Sequence, residues 1–171
     1  WAEKLAAGEA MFAFGITEPK HGSDATHMET VAHKTSNGWI IQGEKTWNSG
    51  IHSAPADLIF ARTSGKAGDA DGITAFLVPT DSAGFKLEEL LWTFNMPTDH
   101  GRVSLEKVRV PETSILGTEG KGLQIVQHFF NENRIRQAAS SLGAAQFCIW
   151  ESIEYAKKRS PFGKSLSRQQ G

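Results

Sequence analysis

The feature that most constrains this chain is a change of rhythm past its middle. Up to Val110 the apolar residues come in short runs broken by Gly, Pro, Asn and Asp, whereas from Leu123 to about Lys158 they recur every three and four residues with no proline. The first pattern belongs to antiparallel strands and the second to a helix. The stretch from Pro111 to Gly122, with Gly117, Gly120 and Gly122, separates them. The predicted fold is therefore α+β: an antiparallel β-barrel or sandwich followed by a long helix, or two stacked ones, belonging to a bundle or an oligomer. Strands are predicted at 27–34, 39–45, 58–62, 73–79, 85–90 and 102–110, after a short helix over 2–12. Asn37-Gly38 suits a type I′ hairpin turn, whose central residues both need positive φ.

Composition narrows the function more than the fold. Of 171 residues, 18 are basic and 19 acidic, so the net charge of -1 gives no overall attraction to nucleic acid or anionic lipid. No apolar run is long enough to span a bilayer, and no secretory leader is visible, so a soluble, non-secreted protein is expected. The single cysteine, Cys148, excludes an internal disulfide and fits a reducing compartment; its apolar surroundings predict burial. Six scattered histidines lack ligand spacing, so no metal is expected. The 117–122 segment has the wrong glycine spacing for a P-loop.

Three segments carry candidate chemistry. Phe14 to Asp24 holds Pro19 and Gly22, which shape a loop able to turn backbone N–H groups and hydroxyls to an anion or a flat ring; a plain connection capped by Thr17 and Ser23 is the alternative. Trp47 lies at a strand end, where by itself it reads as a core residue. On the long helix His128, Asn131 and Arg134 fall three apart, a polar stripe that either a ligand or another helix must answer.

Taken together these segments resemble the acyl-CoA dehydrogenase family. Thr17-Glu18-Pro19 with Gly22-Ser23-Asp24 is similar to its T-E-P-x-x-G-S-D motif, and Gly43 to Gly50 to its G-x-K-x-W strand end. Arg109-Val110-Pro111 with Leu116-Gly117 resembles the V-R-V-P…L-G exit, and Tyr155 to Lys164 the Y-x-x-x-R-x-x-F-G-K block. The four blocks run collinearly along the chain.

The resemblance implies three parts: the end of an N-terminal helical region (1–14), an FAD- and acyl-CoA-binding β-domain (15–118) and the truncated start of a C-terminal helical domain (119–171). It implies FAD as cofactor, with Phe14, Ile16 and Thr17 lining the flavin, Gly22 and Ser23 near the pyrophosphate or the acyl-CoA, and Trp47 against the isoalloxazine. The family places I-T-N-G or a similar four after this Trp, and this chain has only Asn48-Ser49-Gly50; Ser49 is the candidate bonding flavin N5, with Asn48 its rival. Asn131 and Arg134 would hold the pantetheine of CoA. Arg159, Phe162 and Gln170 would reach the FAD of a neighbouring subunit, in a homodimer or homotetramer.

The implied reaction is α,β-desaturation of an acyl-CoA thioester, as in the β-oxidation of fatty acids. A Glu takes the α-proton, hydride leaves for FAD and electrons pass to an electron-transfer flavoprotein. The family's base on this helix would fall at Asn133, which takes no proton, so the base is expected beyond Gly171 and no catalytic residue is assigned. This chain alone is expected to be inactive. Two other readings stand beside this one: an acyl-CoA or nitroalkane oxidase, and a non-catalytic domain binding CoA esters or a partner. Asn95 to Gly101 with Asn133 to Ala138 looks most like the subgroup whose larger eukaryotic members are fused to kinase-like domains. The compartment implied is the bacterial cytoplasm, or the mitochondrion or peroxisome of a eukaryote.

Overall fold

Strands form where apolar and polar residues alternate or where a β-branched run is walled by turn residues. A computed structural model describes residues 1–94 and 96–169. Its strands are β1 (Ala13–Gly15), β2 (Val31–Thr35), β3 (Gly38–Ser49), β4 (Ala56–Arg62), β5 (Ile73–Pro79), β6 (Phe85–Thr93), β7 (Met96–Val110) and β8 (Ile115–Leu116). They make one sheet in the order β6-β7-β3-β2-β4-β5-β8, with β1 pairing β4. The sheet curls over its own apolar face: Trp39 of β3 meets Phe76 of β5 with ring centroids 5.5 Å apart, although β2 and β4 lie between their strands. Ile41, Ile59, Val78, Leu105 and Val108 fill the same core.

The predicted sheet followed by a long helix is found, with corrections to its detail. The sheet is mixed, not purely antiparallel. β1 runs parallel to β4, pairing Ala13 with Asp57, Phe14 with Leu58 and Gly15 with Ile59, and β2 meets β4 in parallel at Val31 and Arg62. A parallel pair needs a long connection, and the excursion through β2 and β3 supplies one between β1 and β4.

The predicted first helix shortens to α1 (Ala2–Ala6). Gly8, at φ 72°, follows the capping residue Ala7 in the left-handed conformation that ends helices, and β1 begins five residues later. The hairpin between β2 and β3 exists, but its two turn residues are Ser36 and Asn37, neither with positive φ, so the predicted type I′ turn at Asn37-Gly38 is not formed. Gly38 instead opens β3 at φ 130°, where a Cβ would sit 2.1 Å from the Val110 carbonyl oxygen. Close approach of β3 to the end of β7 is what requires glycine there.

The helical segment is a single α2 (Gly122–Lys158) of 37 residues, about 55 Å at about 1.5 Å per residue. It buries only Gly122 and Val126, so Cys148 is exposed and the prediction of burial fails. Among the described residues, no helix is long and apolar enough to cross a membrane. Past the helix, Leu166–Arg168 makes a 3₁₀ turn. The chain divides into two units, Trp1–Val126 and the remainder from Gln127.

Candidate functional site: the bulged edge of β3

The site is built on a break in strand register. Along β3 the pairing with β7 slips between Thr46 and Asn48, leaving Trp47 as the extra residue of a β-bulge with φ 65°. A left-handed conformation at a non-glycine residue costs about 1–3 kcal/mol and persists only where the surroundings impose it. In a regular strand, residues three apart face opposite sides; the bulge turns both Lys45 and Asn48 inward, and both are fully buried. Trp47 and Ser49 are thereby turned outward.

Each buried neighbour is anchored to a different part of the chain, Lys45 to the segment after β1 and Asn48 to β4. Lys45 Nζ donates to Glu18 Oε1 at 2.8 Å and to the Ile16 carbonyl oxygen at 3.2 Å. Glu18 also accepts from the backbone N–H of Glu29 at 2.5 Å and of Thr30 at 2.9 Å. Burial alone would raise the Glu18 pKa, but the Lys45 charge and these hydrogen bonds together hold it below the usual carboxylate range. Burial pushes the Lys45 ammonium down from its ordinary value, and the Glu18 charge opposes that. The backbone N–H of Thr46 donates to the Thr17 carbonyl at 2.9 Å. The segment after β1 is thus stitched to the bulged edge of β3 by a backbone bond and a buried ion pair, and the two segments singled out in the sequence are neighbours.

On the other side of Trp47, the Asn48 amide donates to Asp57 Oδ2 on β4. Desolvation pushes the Asp57 carboxyl up to about 7, against the lowering effects of the Asn48 bond and the Lys45 charge. Asn48 Oδ1 and Asp57 Oδ1 are both buried with no hydrogen-bond partner among the described residues.

The outward surface carries the groups a ligand would meet. The Trp47 indole is 48% exposed, which removes it from the core. Ser49 Oγ lies 2.8 Å from His100 Nδ1 on β7, and the His100 ring stands edge-on to Trp47 with centroids 6.2 Å apart. Phe14 is half-buried against Phe60, with centroids 5.2 Å apart. Ile16 is buried, so only its backbone can meet a ligand. Thr17 is half-buried. Gly22 and Ser23 are exposed, and nothing lies within 4 Å of where a Gly22 Cβ would be. A depression of about 390 Å³ beside Pro19 is lined by Glu29, Glu44 and Glu106 against Lys20, a charge balance that disfavours phosphate. No group of three His, Cys, Asp or Glu residues able to hold a metal stands among the described residues.

The remaining candidates lie in the second unit. Asn131 and Arg134 are exposed on α2, the Arg134 guanidinium 5.6 Å from the Phe130 ring centroid. Arg159 closes the helix, its N–H bonded to the Tyr155 carbonyl. Phe162 is fully exposed at φ 55°. Gln170 lies outside the described residues.

In the sequence Glu18 and Lys45 stand out only as letters of the family motifs, and nothing there marks Asp57 or His100 as part of a site. Lys45 sits among Gln42, Gly43, Glu44 and Thr46, so the local pattern gives no sign that it is buried. Asp57 stands at the head of the apolar run of β4 and reads as a turn residue.

The family model described as acyl-CoA dehydrogenase, middle domain, matches residues 13–108, and that described as acyl-CoA dehydrogenase, C-terminal domain, matches 120–171. The chain belongs to the acyl-CoA dehydrogenase family. Glutaryl-CoA dehydrogenase of Desulfococcus multivorans is 36% identical over 97% of this chain and 43% of its own length. Mitochondrial isovaleryl-CoA dehydrogenase of Arabidopsis thaliana is 34% identical over 98% of this chain and 41% of its own length. A crystal structure of a glutaryl-CoA dehydrogenase from Mycobacterium smegmatis in complex with FADH2 superposes with a TM-score of 0.84 at 34% identity, covering 99% of this chain and 42% of that one. The chain spans less than half the length of these acyl-CoA dehydrogenase relatives.

An acyl-CoA dehydrogenase flavin is a flat heteroaromatic ring with hydrogen-bonding edges, and the bulged edge of β3 suits one. It offers a half-exposed indole, an outward Ser49 hydroxyl, and a Thr17 hydroxyl with no hydrogen-bond partner among the described residues.

Proposed function

We propose that this chain is the flavin-gripping part of an FAD-dependent acyl-CoA dehydrogenase. The observation that carries the reading is Trp47: a large apolar ring held half in solvent by a strained bulge and braced on both sides by buried polar anchors. A core tryptophan has no need of such a cost, and a planar ligand gains from it. In this reading Trp47 covers the isoalloxazine. Thr17 and the backbone of Ile16 meet its pyrimidine side, with Phe14 beside them, and Ser49 supplies the hydroxyl toward N5, since Asn48 is turned inward. Gly22 and Ser23 let the main chain approach the pyrophosphate or the acyl-CoA without a fixed charge.

Bound FAD supplies a two-electron acceptor for hydride from the β-carbon of an acyl-CoA. The chain's own residues hold and orient, and none is assigned the proton transfer. Asn131 and Arg134 hold the pantetheine arm of the substrate. Arg159, Phe162 and Gln170 serve the FAD of a second subunit, and the electrons leave to an electron-transfer flavoprotein.

The test is flavin binding by the full-length protein. It is expected to purify with a flavin absorption band that acyl-CoA bleaches anaerobically. Trp47→Leu should weaken FAD binding by about tenfold. A full-length protein that binds no flavin would sink the reading, and rapid peroxide formation on admitting air would replace dehydrogenase with oxidase.

A further inference from the structure

The geometry points to Asp57 as a positioning residue for the flavin-facing edge of β3, acting as a neutral carboxylic acid locked to the Asn48 amide. The inference rests on the functional reading above and deepens it. The starting point is a mismatch in buried hydrogen bonding. The Asn48 amide donates to Asp57 Oδ2, yet Asn48 Oδ1 and Asp57 Oδ1 are both buried without a partner. An ionised carboxylate only accepts, and so does an amide oxygen. Two buried acceptors with no donor are costly.

One proton resolves both. With Oδ2 accepting from the amide, an Oδ1–H can donate to Asn48 Oδ1, closing a two-bonded acid–amide ring that satisfies both atoms. Water has no room at Asp57 Oδ1 on the β1 side, because the Gly15 backbone is packed against it. A Cβ on Gly15 would lie 2.6 Å from Ile59 Cδ1, 2.8 Å from Asn48 Nδ2 and 3.2 Å from Asp57 Oδ1, leaving no space for a solvent molecule there.

The charged surroundings are few. From β3, Lys45 acts on Asp57 through space, while its ammonium is bonded to Glu18 and the Ile16 carbonyl. Glu18, on the segment after β1, offsets that charge. From β5, Val78 pairs with Asp57 and is uncharged. The upward displacement of the Asp57 carboxyl to about 7 agrees with this setting.

The pair matters for function because Asn48 directly follows the strained Trp47. Tied to β4, Asn48 prevents the bulge from relaxing and fixes which of Trp47, Asn48 and Ser49 face outward. Ionisation of Asp57 leaves two acceptors opposed and loosens that tie.

The experiment uses the full-length protein and its Asp57→Asn and Asp57→Leu variants. FAD affinity is measured about two pH units either side of neutrality, with infrared detection of the protonated-carboxyl C=O stretch. Wild-type affinity should fall several-fold as pH rises through about 7, since the acid form is present below that value and lost above it. Asp57→Asn keeps a donor and an acceptor without charge. It should match the wild-type low-pH affinity, show a flat profile and lack the infrared band, whereas Asp57→Leu should bind weakly at every pH. A flat wild-type profile, a missing wild-type band, or equal losses in both variants overturns the proposal while flavin binding itself survives. Absence of FAD binding at every pH overturns the functional reading, and the positioning role with it.

Discussion

Lys45 and Glu18 carry opposite charges where water does not reach, so each is tolerable only in the presence of the other. Removing one partner of such a pair leaves an uncompensated buried charge, typically costing about 3–5 kcal/mol, whereas an apolar replacement of both is often close to neutral. Lys45→Met should therefore lower stability in urea unfolding of the full-length protein by about 3–5 kcal/mol, and Lys45→Met with Glu18→Leu should recover most of it. The pH sign follows from Glu18, whose folded pKa is depressed. Its contribution is present above the ordinary carboxylate range and is lost as pH falls through the depressed folded value, so the single variant should also lose the wild-type acid sensitivity attributable to Glu18. Trp47 should behave oppositely. Trp47→Gly relieves about 1–3 kcal/mol of backbone strain and should leave flavin-free stability unchanged or improved while weakening flavin binding, read by thermal unfolding beside FAD titration. Little of this was legible in the sequence. Lys45 and Glu18 are 27 positions apart, and local pattern does not reveal which distant charges meet.

At the scale of elements, the sequence conveyed alternation and punctuation well. The strands from β2 to β7 were anticipated in number and order, because each is bounded by turn residues and most alternate visibly. What failed depended on partners remote in sequence. β1 is three residues of Ala-Phe-Gly following an alanine-rich helix, and only its pairing with β4 makes it a strand. The bulge at Trp47 leaves no trace in hydrophobic pattern, since it is defined against β7. Gly38 shows the same lesson: its glycine was read as turn chemistry, whereas the cause is the Val110 carbonyl across the sheet. Gly38→Ala should cost at least about 2 kcal/mol by forcing β3 away from β7, measured as a lower urea midpoint. Asn37→Ala should cost far less, because Asn37 has no positive φ to support.

At the scale of the whole chain, the two units differ in how far they satisfy themselves. The first has a closed core with the site on its edge. The second is a helix whose Ile135, Leu142, Phe147, Ile149, Trp150 and Ile153 are all exposed. The change of rhythm at 111–122 announced both, and the four collinear motifs announced the family. Apolar surface of that extent associates, so the 171-residue chain by itself should sediment as oligomers and bind ANS. Replacing Ile135 and Leu142 with Glu should shift it toward monomer in analytical ultracentrifugation. The displaced register of β3 also governs how this edge tolerates genetic change. Point substitutions at 46–49 alter one contact at a time and should give graded phenotypes. Loss of the Trp47 codon would instead remove the bulge and leave Lys45 and Asn48 two apart, sharing the inner face of a regular strand with Thr46, Asn48 and Ser49 still opposite Arg102, Gly101 and His100. The sheet can therefore spare the residue at 47, and such a deletion should fold normally while forfeiting the outward indole.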